Sequence, residues 1–539
     1  MKKNLLVLSA ALMTGLNVAA QNPYLPLWEY IPDGEPYLFE DPDNPGRMRV
    51  YVYGSHDSLI KAYCGREQVV WSAPEDNLTE WRYDGVIFES KKDAEGNWLY
   101  DNRQGDILYA PDVTVVTGKD GKKTYYLFPN NQANGRKSMV AKSDRPDGPF
   151  EVCNWSKTDA AKTTGVLDFD PAVFVDDDGK VYGYWGFEKS FGAELDPQTM
   201  ATVKKGTEVV VDMIPNRNQE GVFRFFEASS MRKIKDKYVF VYSRWTEDGE
   251  FGLPSSNYTL AYAWSDSPLG PFTYGGTIID GRGRTENPAG KVIETATPGG
   301  NTHGGILEIG GKWYVFYHRQ CGTDEFSRQA MVAPIEVNVT EGPGGKVEIS
   351  EGEYTSEGFQ TEGLDPLRTY PAGIACWYTG PEPARQEYPN FVYSGSYVKA
   401  LRPDASEFEN PYDPAVNTNT VVNNTDGSIV GYKYFNLDVT YGYQGGLELF
   451  MGIVPEGVDA VIDIMVDSPW KKCGGKKVGS IRLKKEMPQE KAYFTSDVSS
   501  LTGLKGKHAI YLVITSKTKG KSVCEIHDLA FIKKTEYPI

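Results

Sequence analysis

The feature that most constrains the fold is an alternating aromatic segment that recurs five times and ends each time in small or polar residues. The five segments are Val50–Gly54, Tyr125–Pro129, Val181–Gly186, Tyr238–Ser243 and Trp313–His318. Each has the two-residue period of a β-strand, and most follow a turn rich in Gly or Asp. Five irregularly spaced units of four strands each predict a five-bladed β-propeller, because radial repetition leaves only short sheet edges. An ordinary meander or sandwich is the alternative.

The sequence changes character after Ile335. Residues 340–372 are rich in Gly, Glu and Thr, which is typical of a closing strand followed by a linker. From Tyr393 onward, short apolar runs alternate with polar turns and show no helical periodicity. We therefore expect an all-β chain with a five-bladed propeller over residues 21–350, a linker over 351–365 and a β-sandwich of jelly-roll type over 366–539.

The first twenty residues have the order of a secretory signal peptide. Lys2 and Lys3 precede the apolar stretch Leu5–Leu16, and the small residues Ala19 and Ala20 suit a signal peptidase. A membrane anchor is the alternative, but a spanning helix needs roughly 20 apolar residues. We expect export to the periplasm or the extracellular space, with no later segment crossing a membrane.

Charge and cysteine content exclude several classes of protein. The formal net charge of −16 disfavours nucleic acid as a partner, whereas neutral sugar polymers are compatible with such a surface. The six cysteines are scattered and form no CxxC motif, which argues against a zinc site and a dense disulfide framework. One disulfide within the C-terminal region remains open.

Four segments place carboxylates beside predicted strands. They are Ile31–Phe39 with Asp33 and Glu35, Leu108–Val113 with Asp112, Asp168–Phe174 with Asp170, and Phe225–Ser230 with Glu227. The innermost strands of propeller blades start near one axis, so these residues would converge although they are distant in sequence. The structural alternative is that the acids cap turns, since Asp-Pro and Asp-Gly are common turn dipeptides.

Converging carboxylates next to aromatic residues suit glycoside hydrolysis. That reaction needs one protonated carboxyl group to act on the leaving oxygen and one ionised carboxylate to activate water. Phe225 and Phe226 would raise the pKa of Glu227 by excluding water, and a nearby carboxylate would raise it further.

Residues 22 to about 350 resemble a family 43 glycoside hydrolase. The resemblance rests on Asp33 before the first aromatic strand, Gly54–Asp57, Ala110–Asp112, Asp170–Phe174 with Asp176–Gly179, Phe226–Ser229, and Asn301–Gly304 before Trp313–Arg319. The set in this order is specific, although each motif alone is weak. The resemblance implies a five-bladed propeller that cleaves arabinofuranosyl, xylosyl or, less often, galactosyl bonds with inversion.

Matching the family's motifs by position assigns roles to the three catalytic carboxylates. Glu227 would be the general acid, and Asp170 would orient it and tune its pKa. The base stays open because the family usually has Asp-Pro where this chain has Asp33-Gly34-Glu35-Pro36. Counting back from Phe39 favours Asp33, whereas anchoring on the proline selects Glu35.

The resemblance also implies binding residues. Arg328 would contact the sugar, Glu35 and Asp112 are expected to bind it, and the aromatic side chains expected to stack on sugar rings are Tyr109, Phe226 and Trp245. Core packing is the alternative for at least one of these aromatic residues. His303 would hold a water or a structural calcium ion at the axis, or it is an ordinary hydrogen-bonded core histidine. The chemistry itself requires no cofactor.

The C-terminal region resembles a family 6 carbohydrate-binding module. The segments that carry this resemblance are Asp426–Tyr432, Gly445–Leu449 and Leu504–Val513. The expected partner is a plant cell-wall glycan or oligosaccharide, and the expected oligomeric state is a monomer. Such a sandwich can also be only a structural support for the catalytic domain.

Several functional hypotheses remain beside an arabinofuranosidase. A β-xylosidase or an exo-galactosidase of the same family differs by pocket shape and not by motif. A non-catalytic sugar-binding propeller would not need Asp33, Asp170 and Glu227, and a protein-interaction propeller would have shorter and more regular blades. A family 32-like fructan hydrolase would carry an Asn-Asp-Pro-Asn-type motif, which Asp33–Pro36 does not match.

Overall fold

The protein is an all-β chain, as the sequence predicts. The computed structural model describes residues 21–59, 62–90, 105–133, 135–159, 161–400 and 419–534, so the expected signal peptide over 1–20 lies outside the described residues. Within the described ranges, the helical segments are short 3-10 turns: Glu250–Gly252, Ala372–Ile374, Leu437–Val439, Lys471–Cys473 and Ser499–Gly503. In that part of the chain no helix has the length and apolar character needed to cross a membrane.

The N-terminal region consists of successive antiparallel meanders in which strand order follows chain order. The first sheet contains β1 (Glu35–Glu40), β2 (Met48–Tyr53), β3 (Glu67–Pro74) and β4 (Arg82–Glu89). The second sheet contains β5 (Asp112–Thr117), β6 (Lys123–Phe128), β7 (Ala141–Ser143) and β8 (Glu151–Val152). The third sheet contains β9 (Ala172–Val175), β10 (Val181–Trp185), β11 (Phe191–Leu195) and β12 (Val210–Val211). The fourth sheet contains β13 (Phe225–Ile234), β14 (Lys237–Arg244), β15 (Thr259–Ser265) and β16 (Thr273–Asp280).

A fifth sheet and two small hairpins complete this region. The hairpins pair β17 (Thr285–Glu286) with β18 (Val292–Ile293) and, after the fifth sheet, β22 (Val337–Val339) with β23 (Val347–Ile349). The fifth sheet contains β19 (Ile306–Ile309), β20 (Lys312–Gln320) and β21 (Arg328–Ile335). The five aromatic segments of the sequence form the second strand of each sheet, namely β2, β6, β10, β14 and β20.

The five sheets pack face to face in a closed ring. Aromatic and aliphatic clusters fill each space between neighbouring sheets, including the space between the first sheet and the fifth. The second strands are therefore covered on both faces, which explains why they are almost continuously apolar. Hydrogen bonds at or next to the first strands also link neighbouring sheets around the ring, the last of them to β20: Tyr37–Asp112, Asp112–Val173, Asp170–Ala228, Arg232–Ile306 and Asp33–His318.

The segment before β1 lies against the fifth sheet. The Asn22 side-chain amide donates to the Val332 carbonyl at 2.6 Å, and the Tyr24 backbone N–H donates to the Ala330 carbonyl at 3.2 Å. Both Asn22 and Tyr24 are buried. The first described residues are thus hydrogen-bonded to β21 of the fifth sheet, although they lead directly into β1 of the first sheet.

The C-terminal region contains two larger antiparallel sheets and one hairpin. The strands up to the 401–418 gap are β24 (Tyr370–Pro371), β25 (Trp377–Thr379), β26 (Arg385–Glu387), β27 (Asn390–Val392) and β28 (Tyr397–Val398). The rest are β29 (Val421–Val422), β30 (Ile429–Asn436), β31 (Leu447–Pro455), β32 (Ala460–Val466), β33 (Lys476–Leu483), β34 (Ala492–Asp497), β35 (Lys507–Ser516) and β36 (Cys524–Lys533).

The two large sheets pack against each other through apolar residues of period two. One has the order β28-β29-β36-β31-β34, with β24 also paired to β36, and the other has the order β25-β30-β35-β32-β33. Leu447, Leu449 and Met451 of β31 belong to one buried cluster with Ile462 of β32 and Leu512 of β35. Alternate residues of each strand therefore meet between the sheets.

The two regions share one apolar core. The cluster that contains Val315 and Tyr317 of the fifth sheet continues into Tyr378 and Tyr432 of the C-terminal sheets. The expected linker over 351–365 is packed into this junction, where Ser356 is fully buried and its N–H donates to the Lys433 carbonyl. All six cysteines are free, so the structure has no disulfide within the C-terminal region.

Candidate active site

The three carboxylates expected to be catalytic meet at the first strands of three different sheets. Asp33 precedes β1, Asp170 precedes β9, and Glu227 lies near the start of β13. Electrostatic interactions couple the Glu227 carboxyl group to both aspartates. Asp33, Asp170 and Ala228 have left-handed backbones, with φ of 60°, 46° and 65°. Non-glycine residues are strained in this region, and such strain clusters at functional sites.

Asp33 is held as an ionised carboxylate. Its buried side chain accepts a hydrogen bond from the Ser55 hydroxyl, and each of its oxygens lies 3.2 Å from Arg328 Nη1. Burial alone would raise the pKa of Asp33, but the Arg328 guanidinium, with smaller contributions from His318, His303 and the Ser55 hydroxyl, outweighs burial, so the pKa lies below its usual value. An ionised carboxylate at neutral pH is able to accept a proton.

His318 fixes the backbone of Asp33. The Asp33 N–H donates to His318 Nδ1 at 3.1 Å, and His318 Nε2 lies 2.8 Å from the Asn301 carbonyl oxygen. Burial lowers the pKa of His318 to about 3, so the imidazole is neutral. The neutral ring therefore carries its proton on Nε2 and accepts at Nδ1.

Arg328 is itself anchored by a second carboxylate. Its Nε and Nη2 atoms lie 3.0 Å and 2.8 Å from the two oxygens of Asp57, a bidentate arrangement. The guanidinium carbon lies 5.0 Å from the centroid of the Tyr63 ring, and Arg328 is 1% exposed. The contact of Arg328 with a sugar stays a prediction, whereas its contacts with Asp33 and Asp57 belong to the structure.

Glu227 has the opposite electrostatic character to Asp33. Its side chain is buried, and burial together with the charges of Asp170 and Asp33 raises its pKa well above the usual value. The pairing of β13 with β14 is irregular on both sides of Glu227, which marks a β-bulge. Bulges re-aim side chains next to active sites, and this one lies at the residue whose pKa Asp170 and Asp33 raise.

Asp170 holds the backbone next to Glu227 by a hydrogen bond. It accepts hydrogen bonds from the Asn130 amide at 2.7 Å and from the Ala228 backbone N–H at 3.2 Å. Because Ala228 follows Glu227 directly, this second bond fixes the backbone that carries the Glu227 side chain. Asp170 Oδ2 also lies 3.6 Å from His303 Nδ1.

The surroundings of His303 do not fit a calcium cage. Burial would lower the pKa of His303, but its interaction with Asp170 raises the pKa to about 9, which favours the imidazolium form. Calcium takes six to eight oxygen ligands, and a protonated imidazole ligates no cation. Among the described residues no group of three or more His, Cys, Asp or Glu side chains is arranged to hold a metal ion.

Glu35 and Asp112 have interior partners. Glu35 Oε1 lies 2.6 Å from Arg232 Nη2 and accepts a hydrogen bond from the Ser230 hydroxyl at 2.7 Å. Asp112 accepts from the Tyr37 hydroxyl at 2.5 Å, and burial followed by the charge of Glu35 raises its pKa to about 7. Their expected contacts with a sugar stay predictions.

Gly305 allows Glu35 to approach the axis this closely. A Cβ atom at Gly305 would lie 2.7 Å and 2.8 Å from the two carboxylate oxygens of Glu35. Any larger residue would therefore displace Glu35 from its partners, which accounts for a glycine directly before β19.

Glu35→Gln is expected to destabilise the fold by about 3 kcal/mol or more while leaving kcat within a few-fold of wild type. The physical reason is that breaking a buried ion pair leaves the partner, here Arg232, uncompensated. Thermal and denaturant unfolding measure the first effect. The matched control is Glu348→Ala, which breaks the exposed Lys346–Glu348 pair and should leave stability unchanged. An inactive Glu35→Gln with wild-type stability would instead indicate a direct catalytic role.

Aromatic side chains surround the carboxylates on two sides. Phe226 contacts Trp245 at a centroid distance of 5.3 Å and Phe187 at 5.1 Å on the Glu227 side. Tyr109 is half-buried on the Arg328 side, and burial raises its pKa. One face of Trp245 is covered by Arg217 at 4.2 Å, which favours packing for that ring, whereas Phe187 remains 49% exposed.

Sequence reasoning assigned no role to several residues of the site, although they share one recognisable position. Ser55, Asn130 and Phe187 all follow the aromatic second strand of their sheets. Since adjacent strands are antiparallel, the end of each second strand lies beside the start of the first, where the carboxylates are. Polar or aromatic residues directly after each aromatic segment were therefore a usable signal.

Comparison with known proteins identifies the class of enzyme. The model of "Glycosyl hydrolases family 43" matches residues 51–341. A xylosidase/arabinosidase of Thermoclostridium stercorarium is 35% identical over 435 residues, which span 77% of this chain and 82% of the relative. The protein is therefore an O-glycosyl hydrolase. It belongs to glycosyl hydrolase family 43.

More distant relatives align along most of the chain. An arabinoxylan arabinofuranohydrolase of Paenibacillus polymyxa is 24% identical over 506 residues, 90% of this chain and 70% of that protein. The crystal structure of a glycoside hydrolase family 43 arabinoxylan arabinofuranohydrolase from Bacillus subtilis in complex with cellotetraose is 19% identical. That alignment covers 95% of this chain and 97% of the other, with a TM-score of 0.43.

Proposed function

We propose that this protein is an inverting glycosidase that releases a terminal pentose, foremost α-L-arabinofuranose, from plant polysaccharides or oligosaccharides. The observation that carries the proposal is the opposite shift of two pKa values, lowered at Asp33 and raised at Glu227. Pairs of titratable groups whose environments push their pKa values apart divide naturally into a base and an acid.

In the proposed mechanism, Asp33 is the general base and Glu227 the general acid. Asp33 takes a proton from water as the water oxygen bonds to the anomeric carbon, and Glu227 gives its proton to the departing glycosidic oxygen. Asp170 raises the pKa of Glu227 and holds the backbone at Ala228. The contacts of Glu35 with Arg232 and Ser230 favour Asp33 over Glu35 as the base.

The identity of the sugar is proposed from the relatives. The relative that is 35% identical is named a xylosidase/arabinosidase, and the one that is 24% identical is named an arabinoxylan arabinofuranohydrolase. A β-xylosidase or an exo-galactosidase is therefore the alternative within the family. Turnover of nitrophenyl arabinofuranoside, xyloside, galactoside and glucoside by the full chain separates these activities. No turnover of any of the four would favour a non-catalytic sugar-binding protein.

We propose that the closed ring of sheets is a five-bladed β-propeller and that the C-terminal sheets form a β-sandwich related to family 6 carbohydrate-binding modules. The packing of each N-terminal sheet against two others supports the propeller. The division into residues 21–350 and 366–539, export after removal of residues 1–20, and a monomeric state belong to the same proposal. Expression with the leader, followed by light scattering of the secreted protein, tests export and oligomeric state.

Phe187→Ala is expected to weaken binding of the leaving-group part of a substrate. Phe187 is exposed and contacts Phe226 next to the proposed acid, and the acid faces the glycosidic oxygen. Losing an aromatic platform worth about 1 kcal/mol should raise KM for an arabinoxylo-oligosaccharide about five-fold. KM for methyl arabinofuranoside should change little. Val211→Ala, at another exposed apolar residue of the same sheet, is the control. Equal changes for both substrates would contradict this role.

A further inference from the structure

A hairpin of the C-terminal region lies against the loop that carries the active-site arginine. Strands β26 and β27 form their own two-stranded sheet, inserted in the chain between β25 and β28 of the two large sheets. The hairpin contacts the loop between β20 and β21 by backbone hydrogen bonds. The Phe391 N–H donates to the Thr323 carbonyl at 2.9 Å, and the Glu325 N–H donates to the Pro389 carbonyl at 3.0 Å.

One side chain of the hairpin reaches a buried carboxylate of this loop. The Gln386 amide donates to Glu325 Oε1, and the Tyr63 hydroxyl donates to Glu325 Oε2. Glu325 is 2% exposed, and burial raises its pKa to about 7, opposed chiefly by the hydrogen bond from Gln386. Both the position and the charge of Glu325 therefore depend on a residue from the C-terminal region.

Tyr63 lies between Glu325 and Arg328, which contacts the proposed base. Its ring lies under the Arg328 guanidinium at 5.0 Å, and Arg328 Nη1 lies 3.2 Å from each oxygen of Asp33. Gly299 makes room for the same contact, because a Cβ atom there would lie 2.5 Å from Gln386 Oε1. A continuous set of side chains thus joins the hairpin to Asp33.

We infer that Gln386 is a positioning residue for catalysis, through which the C-terminal region orients Tyr63 and Arg328 and thereby the base Asp33. The inference rests on the proposed function, since it takes Asp33 as the base. The C-terminal region is then a part of the active-site framework, beyond any role in binding polymer. The positioning role of the C-terminal region should therefore affect kcat even for the smallest substrates, which extend no further than the carboxylates.

The test compares Gln386→Leu with wild type in the full chain on nitrophenyl arabinofuranoside and the other three aryl glycosides. Gln386→Leu should lower kcat about ten-fold or more with little change in KM, because small misplacements of catalytic groups are costly. Arg328 lowers the pKa of Asp33, so a displaced Arg328 should move the acidic limb of the kcat/KM profile to higher pH. The matched control is Arg385→Ala, whose exposed side chain pairs with Glu387 on the same hairpin.

A second variant acts on the other side of Glu325. Tyr63→Phe removes only the hydroxyl and keeps the ring beneath Arg328, so it should reproduce the kcat loss and the pH shift even where Gln386→Leu fails to fold. The double variant should lose little more than the more severe single variant, because both act through Glu325. If both single variants matched Arg385→Ala in kcat and pH profile, the inference would be overturned. An inactive wild-type protein would instead count against the proposed function.

Discussion

Glu227→Gln is expected to lower kcat on substrates with poor leaving groups, such as arabinoxylo-oligosaccharides, by about 10²- to 10⁴-fold. The glutamine keeps the shape of the side chain but has no proton to give to the departing oxygen. An activated aryl glycoside needs little proton assistance and should lose much less. Steady-state kinetics on the two substrate types measures the difference, and equal losses on both would contradict the role of Glu227 as general acid.

The pH profile gives an independent check on the same variant. Glu227 must be protonated to act, and its pKa is raised, so its ionisation should cause the basic limb of the wild-type profile. Asp33 must be ionised, and its lowered pKa should place the acidic limb at low pH. In Glu227→Gln the basic limb should disappear while the acidic limb remains.

Asp33→Asn is expected to abolish turnover of activated and unactivated substrates alike, by about 10²- to 10⁴-fold or more. Water must be deprotonated whatever group departs, so a good leaving group offers no relief. The fold should tolerate the change, because Arg328 keeps its two contacts with Asp57. Circular dichroism and thermal unfolding serve as controls for folding.

The stereochemical outcome tests the same assignment. With Asp33 activating a water molecule, the first sugar released should be the inverted anomer, visible in an NMR time course before mutarotation. Release of the retained anomer would rule out the inverting mechanism. An active Asp33→Asn beside an inactive Glu35→Gln would move the base by two residues.

The sequence predicted which segments of the N-terminal region form strands better than it predicted which side chains contact one another. The aromatic segments correctly marked the second strand of each sheet, because strands covered on both faces are almost continuously apolar. The sequence singled out the carboxylates at the starts of β1, β9 and β13 because acids flanked by Phe or Pro stand out next to apolar strands. Periodicity alone could not show which acid would find an interior partner, and Glu35 pairs with Arg232 from a different sheet.

The contribution of the C-terminal region was beyond sequence reasoning. Gln386 lies in a polar stretch with no distinctive pattern, and its partner Glu325 lies 61 residues earlier in the chain. The segment 351–365 has the composition of a linker, yet it is packed because Ser356 bonds to β30 through Lys433. Contacts of this kind depend on how two large units dock, which local composition does not encode.

The fastening of Asn22 to Val332 has a consequence for the order in which the protein is assembled. These partners are 310 residues apart, so the loop between them can be closed only after the whole ring has been synthesised. Non-local pairings of this length slow folding, because chain entropy is lost before the contacts reward it. Until then the apolar surfaces that the first and fifth sheets present to each other remain uncovered. Contacts made by the first described residues therefore form only after β21 has been synthesised.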